Sequence, residues 1–391
     1  FPQSSLSSLT TISSKEMNIL VIPTTDWTRH PVPNRLNFIF DILAERHKIF
    51  VLHFHLRKFE NNAPRPTRCQ LIQSGPLKID DPSLYYVLNA PFHFFTLKRI
   101  ARKEKIDVIL SANILPSFMA NWLGIPIVFD YLDHLEESAS VYYPGSFIGS
   151  MIQKGVRTLS RFNLAHADRV ITVTEELKKY LAGLGIQNVA VIPNGVDTGK
   201  LVPLDKESAK ESLGLAGKIV LGYVGSLEYW VDLETAVLAL PELPNVVLLI
   251  VGPSLFTDYA AHISRLAEEA GVKERVIFKG AVPYDLIGRY ISAMDVGLNP
   301  LKKMKKNEFA AGGKVFNYLS CGRPVLSSRM ISLERLLGDA LFYYDDVGSF
   351  SMQTKKILEE NGNEEHFRAI SMRFDWKTLA NSYESVLEEV Q

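Results

Sequence analysis

KKNEFAAGGKVFNYLSCGRPV, residues 305–325, reads as a glycine-rich turn, a short helix and a buried strand in one continuous run. Ala311-Gly312-Gly313 lets backbone come close to a ligand, and Lys314 follows at the first turn of the helix. Free N–H groups and a cation at that point suit a phosphate-sized anion. The helix is apolar at Val315, Phe316 and Leu319, stops near Cys321-Gly322, and yields to Pro324-Val325-Leu326, which has the character of a parallel strand buried on both faces.

Outward from this unit the same rhythm repeats. Ile219–Val224 is an apolar strand, followed by a Gly225-Ser226 turn and a helix from Asp232. Val246–Val251 and Gly252-Pro253, then Tyr259–Ala270, Val276–Phe278 and Gly280, continue it. Gly222, Gly225 and Ser226 fall where a first strand-to-helix turn presents N–H groups to phosphate, although the spacing is not G-x-G-x-x-G. Towards the N-terminus a second set is visible: strands at Met17–Pro23, Ile49–His53, Val108–Leu110, Ile125–Phe129 and Val170–Val173, with helical patterns between several of them. Such alternation means doubly wound α/β sheets. A chain of 391 residues accommodates two such domains of about 180 residues each. The divisions expected are a tail at 1–16, a first domain at 17–200, a linker at 201–216, a second domain at 217–374, and a final amphipathic helix at 375–391 crossing back to the first. The tail is polar and Ser/Thr-rich without the pattern of a signal peptide, and the expectation is an appended or disordered stretch with Met17 as the natural start.

With 47% hydrophobic and 22% charged residues the composition is that of a soluble globular protein, and no run approaches the roughly 18 apolar residues of a membrane span. Cys69 and Cys321 lie in different halves, without disulfide-framework or metal-type spacing, so the expectation is a cytoplasmic protein with no metal site. Net charge is zero, but the first 200 residues carry 22 Lys+Arg against 17 Asp+Glu. Two helical segments in that half, Pro91–Lys105 and Ile148–His166, are both basic and apolar. They either cover the sheet or also touch a membrane surface peripherally. Nothing points to nucleic acid.

Candidate chemistry gathers at strand ends. Asp26, Trp27, Arg29 and His30 lie in the loop after the first strand, where an open parallel sheet meets its ligands, and are candidates on an acceptor side. Asp130 ends the strand IPIVFD, and Asp133 and His134 follow in its loop. A carboxylate or imidazole there can take a proton from an attacking hydroxyl, whereas the plain alternative for Asp130 is a helix cap.

Taken together, ADRVITVTEELKKYL (167–181), VIPNGVD (191–197), YVGSLEYWVDLE (223–234), LLIVGP (248–253), FKGAVPYDLIGRYISAMDVGLNP (278–300), GGKVFNYLSCGRPVLSS (312–328) and a closing helix with Trp376 resemble the GT-B glycosyltransferases, and among them the family 4 retaining enzymes of polysaccharide and glycoconjugate synthesis. The resemblance implies two Rossmann-like domains facing a cleft. It implies a nucleotide-diphosphate sugar of UDP or GDP type as co-substrate, no further cofactor, a glycan or lipid-linked acceptor, and transfer with retention. Carried over, Gly225, Ser226, Gly312, Gly313 and Lys314 face the diphosphate, Val282 and Pro283 the base, and Asn317 the ribose. Asp130, Asp133 and His134 fall in the catalytic region. Asn317 stands where the family has a glutamate; an earlier family glutamate aligns with Phe309, beside Glu308, and an Arg/Lys pair is replaced around Glu228, Tyr229 and Trp230. Asn317 leaves open a degenerate non-catalytic protein binding a glycan or partner transferase, and the two-lobed fold is shared with nucleotide-sugar epimerases, a further alternative.

Overall fold

The computed structural model describes residues 15–132, 147–255, 257–360 and 362–391. Two parallel sheets form, one per lobe. The first contains β1 (Asn18–Ile22), β2 (Lys48–Phe54), β3 (Gln70–Ser74), β4 (Val108–Ser111), β5 (Ile127–Asp130), β6 (Arg169–Thr172) and β7 (Val189–Val191), in the order β3-β2-β1-β4-β5-β6-β7. The second contains β8 (Ile219–Val224), β9 (Val246–Val251), β10 (Val276–Gly280), β11 (Val296–Asn299), β12 (Val325–Ser328) and β13 (Phe342–Tyr344), in the order β10-β9-β8-β11-β12-β13. In both, the order reverses beside the first strand of the set. That switch point opens a crevice at the carboxyl ends of the strands.

Burial explains which runs became central. β1 and β4, paired at the middle of the first sheet, have wholly buried side chains from Ile19 to Ile22 and from Val108 to Ser111, because helices cover both faces. β3, absent from the strand runs read in the sequence, is an edge strand with exposed Gln70, Leu71 and Gln73. Its three polar residues out of five suit an edge and hide it from an apolar-run search. Residues 201–216 are part of the second lobe. Within them the helix Lys206–Ser212 is anchored by Lys206 and Lys210 on Asp295, at 3.0 and 2.8 Å, and Leu201 and Leu215 join the second core.

Two crossings join the lobes, and they are bonded to each other. Val196 N–H donates to the Phe374 carbonyl at 3.0 Å, and Trp376 N–H to the Val196 carbonyl at 3.1 Å. Phe374 packs on Phe316 in the second lobe, centroids 4.5 Å apart. Two residues later Trp376 stacks on Phe38 of the first lobe at 5.5 Å, and the helix Trp376–Glu388 buries Leu379, Tyr383 and Leu387 among Leu36, Phe40 and Leu43.

Candidate active site in the interlobe cleft

The carboxyl ends of β8 and β9 are separated by almost nothing. A methyl group on Gly252 would lie 1.9 Å from the Gly225 carbonyl oxygen, and both residues hold left-handed φ values, 140° and 154°. Only glycine permits this approach. It leaves the backbone of Gly225-Ser226 and Gly252-Pro253 as a bare rim of a cavity of about 560 Å³ between the lobes. Gly313 and Lys314 form the next part of that rim. Lys314 begins the helix Lys314–Ser320, and Gly313 at its N-cap offers no side-chain acceptor, so the first amides of that helix are uncapped by side chains.

Lys314 is half-buried, with its Nζ 5.4 Å from the centre of the Tyr223 ring. Among the described residues it has no anionic partner, and burial pushes its ammonium down to about 8. Among the described residues no Asp or Glu lines the cavity, whereas His30, Arg35 and Lys314 do. The cleft is therefore poised for an anion. Asn317, one turn after Lys314, also faces it, and among the described residues its amide makes no hydrogen bond.

The first lobe contributes through a helix start. Asn34 caps the helix Arg35–Leu43 by accepting from Leu36 and Asn37 N–H at 3.0 and 3.3 Å, and Asn37 Oδ1 accepts from Asn34 N–H at 2.9 Å. This box places Arg35 at the cavity wall, where its Nη2 donates to the Ile192 carbonyl at 2.9 Å and its plane lies 5.1 Å from the Tyr383 ring. Asn194 completes the junction by donating to the Ala311 carbonyl at 2.9 Å, which holds the glycine turn of the second lobe against the first. Thr174 donates to the Phe309 carbonyl at 3.2 Å on the same seam.

Of the sequence candidates, Gly225, Ser226, Val282, Gly313, Lys314 and Asn317 converge on this cavity. Gly312 and Pro283 stand behind it: Gly312 closes on Asn299, and Pro283 starts the turn Tyr284–Leu286. Glu308 is exposed and Phe309 packs on Tyr180 of the first lobe. Glu228 is buried, accepting from Leu255 N–H at 2.9 Å and Thr257 Oγ1 at 2.8 Å.

The first-lobe candidates behave differently. Asp26 is buried and accepts from the N–H groups of Thr28 and Arg29, at 3.0 and 2.8 Å, with His53 at 3.3 Å. Trp27 is core, its Nε1 donating to Thr67 at 3.1 Å. Arg29 donates to the carbonyls of Glu60 and Asn62, both at 2.7 Å. These three fix the loop rather than line the cavity. The residue they deliver to it is His30, whose Nδ1 faces the Val32 backbone, 2.7 Å from its carbonyl oxygen and 3.2 Å from its nitrogen. Burial lowers its pKa, which keeps the ring neutral. Asp130 is buried and accepts from the Tyr383 hydroxyl at 2.8 Å, with Arg35 Nε at 3.9 Å; burial raises its pKa against the pull of Arg35. Asp133 and His134 lie outside the described residues, and Leu132, just before them, lines the cavity. Arg35, Asn194 and an aromatic patch of Phe38, Tyr284 and Trp376 also line the cavity; Asn194, Tyr284 and Trp376 fall in segments quoted from the sequence, but none of the five was assigned there to the site. Only the Asn34 cap and the PNG turn could have pointed to them.

Glycosyltransferase Family 4 matches residues 41–200, and Glycosyl transferases group 1 matches residues 218–360. TuaH, from teichuronic acid biosynthesis in Bacillus subtilis (strain 168), is 27% identical over 213 residues, a stretch that spans about half of either protein, 52% of each. Sucrose-phosphate synthase from Thermosynechococcus elongatus shares the fold with a TM-score of 0.77 at 18% identity, over 96% of this chain and 99% of the other. Anabaena HepE, solved with UDP and glucose, does so with a TM-score of 0.73 at 19% identity, over 95% and 100%. The two family matches meet across the cleft that the two sheets enclose, and the chain belongs to the family 4-like, group 1 glycosyltransferases of GT-B fold.

Proposed function

We propose that this protein transfers a sugar from a nucleoside-diphosphate sugar, of UDP or GDP type, to a hydroxyl of a glycan or lipid-linked acceptor with retention of configuration. The observation that carries this reading is Lys314. It is a half-buried ammonium with no anionic partner among the described residues, set beside two glycine turns in a cavity whose described lining has no carboxylate. Burying an unpaired cation is costly unless a ligand anion completes it. The complex of Anabaena HepE with UDP and glucose, on the same fold, supports a nucleotide donor.

In this reading the bare amides around Gly225-Ser226 and Gly313 hold the diphosphate, and Asn317 faces the ribose. Lys314 stabilises charge on the leaving phosphate as the glycosidic bond breaks. Ala281 and Val282 flank the base. On the opposite wall, His30 Nε2 has no hydrogen-bond partner among the described residues, and in the tautomer with its proton on Nδ1 it can accept a hydrogen bond from an acceptor hydroxyl. Asp133 and His134 remain proposed partners in that step; Asp130, engaged by Tyr383, is proposed as a positioning residue. Retention follows from the family resemblance, and the anomeric coupling of the product tests it.

A thermal-shift panel of UDP, GDP, ADP and CMP with their sugar conjugates tests the donor site, on wild type and Lys314→Ala. One diphosphate nucleotide should stabilise the wild type, by about 2.7 kcal/mol at a hundredfold excess over Kd, and the variant should lose most of that. If no nucleotide moves the midpoint of either protein at millimolar concentration, the reading falls.

A further inference from the structure

Leu84, Val87, Leu88, Phe92 and Phe95 are 53%, 58%, 51%, 43% and 68% exposed. They belong to the consecutive helices Pro82–Leu88 and Ala90–Lys103, and their spacing draws one outward stripe across both. Further along the second helix the same face continues as Lys98, Arg99 and Arg102, all exposed, and among the described residues none of the three has an ion-pair partner. From 82 to 103 the chain contains no acidic residue. The inner faces are satisfied separately, with Tyr85, His93, Leu97 and Ile100 buried. The outer stripe is therefore surplus to the fold, and large exposed apolar side chains in such a row mark an interaction surface.

The surface is wider than one helix. Ala90–Lys103 packs beside Leu115–Ala120, and that helix beside Phe147–His166. Trp122, 68% exposed in the turn Asn121–Leu123 that follows Leu115–Ala120, and Met151, 62% exposed on Phe147–His166, lie along these elements with exposed Lys154 and Arg161. One end of the stripe is tied to the cleft: the Tyr86 hydroxyl donates at 2.8 Å to the carbonyl of Thr24, in the loop that delivers His30.

We propose that this face docks the first lobe on an anionic lipid surface, the apolar stripe entering the headgroup boundary and the cations meeting lipid charge. A row of bulky apolar side chains flanked by cations, with no acid among them, is complementary to such an interface. The placement brings the cleft to the lipid surface, where a lipid-linked acceptor would be held. The inference does not depend on sugar transfer, because vesicle binding needs no donor and its failure leaves nucleotide binding untouched.

The test is flotation of the full chain with vesicles of phosphatidylcholine alone and of phosphatidylcholine with phosphatidylglycerol. Binding is expected to the anionic vesicles and to weaken with added salt. The triple change Lys98→Glu, Arg99→Glu, Arg102→Glu should lower partitioning by at least roughly a hundredfold, and Phe92→Ser with Phe95→Ser should abolish it. Ile331→Ser with Met352→Ser, exposed on the second lobe, should leave it unchanged. Unaltered thermal midpoints show that the variants fold. No binding to anionic vesicles overturns the proposal, and so does binding that survives both first-lobe variants. A dimer in solution that Phe95→Ser dissolves, without vesicle binding, would assign the stripe to a second copy of the chain instead.

Discussion

The Tyr383 hydroxyl donates to Asp130 Oδ2 at 2.8 Å, joining residues 253 apart in the chain. This bond holds the last helix against the carboxyl end of β5, with Arg35 between the carboxylate and the cavity wall. The strand-end acid is thus committed to the assembly of the first lobe. Asp130→Ala is expected to destabilise the protein by about 3–5 kcal/mol, since it leaves the Arg35 charge buried without its carboxylate. Tyr383→Phe should cost about 1–2 kcal/mol and leave nucleotide binding unchanged. Urea denaturation reads both. An Asp130→Asn protein with full stability and no turnover would instead make this carboxylate catalytic.

Lys314 sets a pH dependence. Its ammonium is depressed from 10.5 to about 8, so the folded chain holds that proton less tightly than the unfolded one, and this group makes stability rise with pH across that window. A bound diphosphate favours the ammonium. Nucleotide binding should therefore take up a proton near pH 8, and affinity should fall by up to roughly tenfold per pH unit above it. Calorimetry in buffers of differing ionisation enthalpy measures the uptake. Lys314→Arg should flatten the dependence, because guanidinium stays charged.

Gly252→Ala is expected to be severe. The added methyl would meet the Gly225 carbonyl oxygen at 1.9 Å, at a φ of 140° that alanine resists. Strain alone contributes about 1–3 kcal/mol, and relief of the overlap has to separate β8 from β9 at the cavity rim. Loss of nucleotide binding should exceed what the fall in thermal midpoint accounts for. Gly214→Ala, also at positive φ but with open space around it, should show the strain without the binding defect.

Asn317→Ala should act on the ligand alone. Its amide bonds to nothing among the described residues, so the thermal midpoint of the free protein should hold. Affinity for a nucleoside diphosphate should drop by about 1 kcal/mol, the worth of a neutral hydrogen bond. Titration with UDP and with inorganic pyrophosphate separates ribose contact from phosphate contact: only the first should weaken.

Trp376→Ala probes the shared floor of the two lobes. The ring is 6% exposed, stacks on Phe38 and lines the cavity. Truncation of a buried aromatic costs about 3–5 kcal/mol, and the looser interlobe seam should raise the nucleotide Kd as well. Denaturation and calorimetry on the same preparation compare the two effects.

Local chemistry wrote much of this protein in its order of residues. Apolar runs such as Ile19–Ile22 and Val246–Val251 read as strands covered on both faces, their alternation with helical periods read as doubly wound sheets, and Gly225, Gly313 and Lys314, singled out as bare backbone and a cation within short spans, all line the cleft. The fate of polar side chains was decided elsewhere. Asp26 and Arg29 looked as available for chemistry as His30, three residues of one loop with ordinary acid, base and hydrogen-bonding groups. Which of them reached the cleft depended on the carbonyls of Glu60 and Asn62 engaging Arg29, and on the loop's own N–H groups and His53 engaging Asp26. Asp130 likewise met Arg35 only when the first lobe closed, and Tyr383 only when the chain returned from the second lobe. A short segment dictates backbone conformation and the face it buries, because both arise between neighbours in the chain. Whether a carboxylate is a base or a tie depends on groups hundreds of residues away, and only the assembled lobes bring those groups within reach.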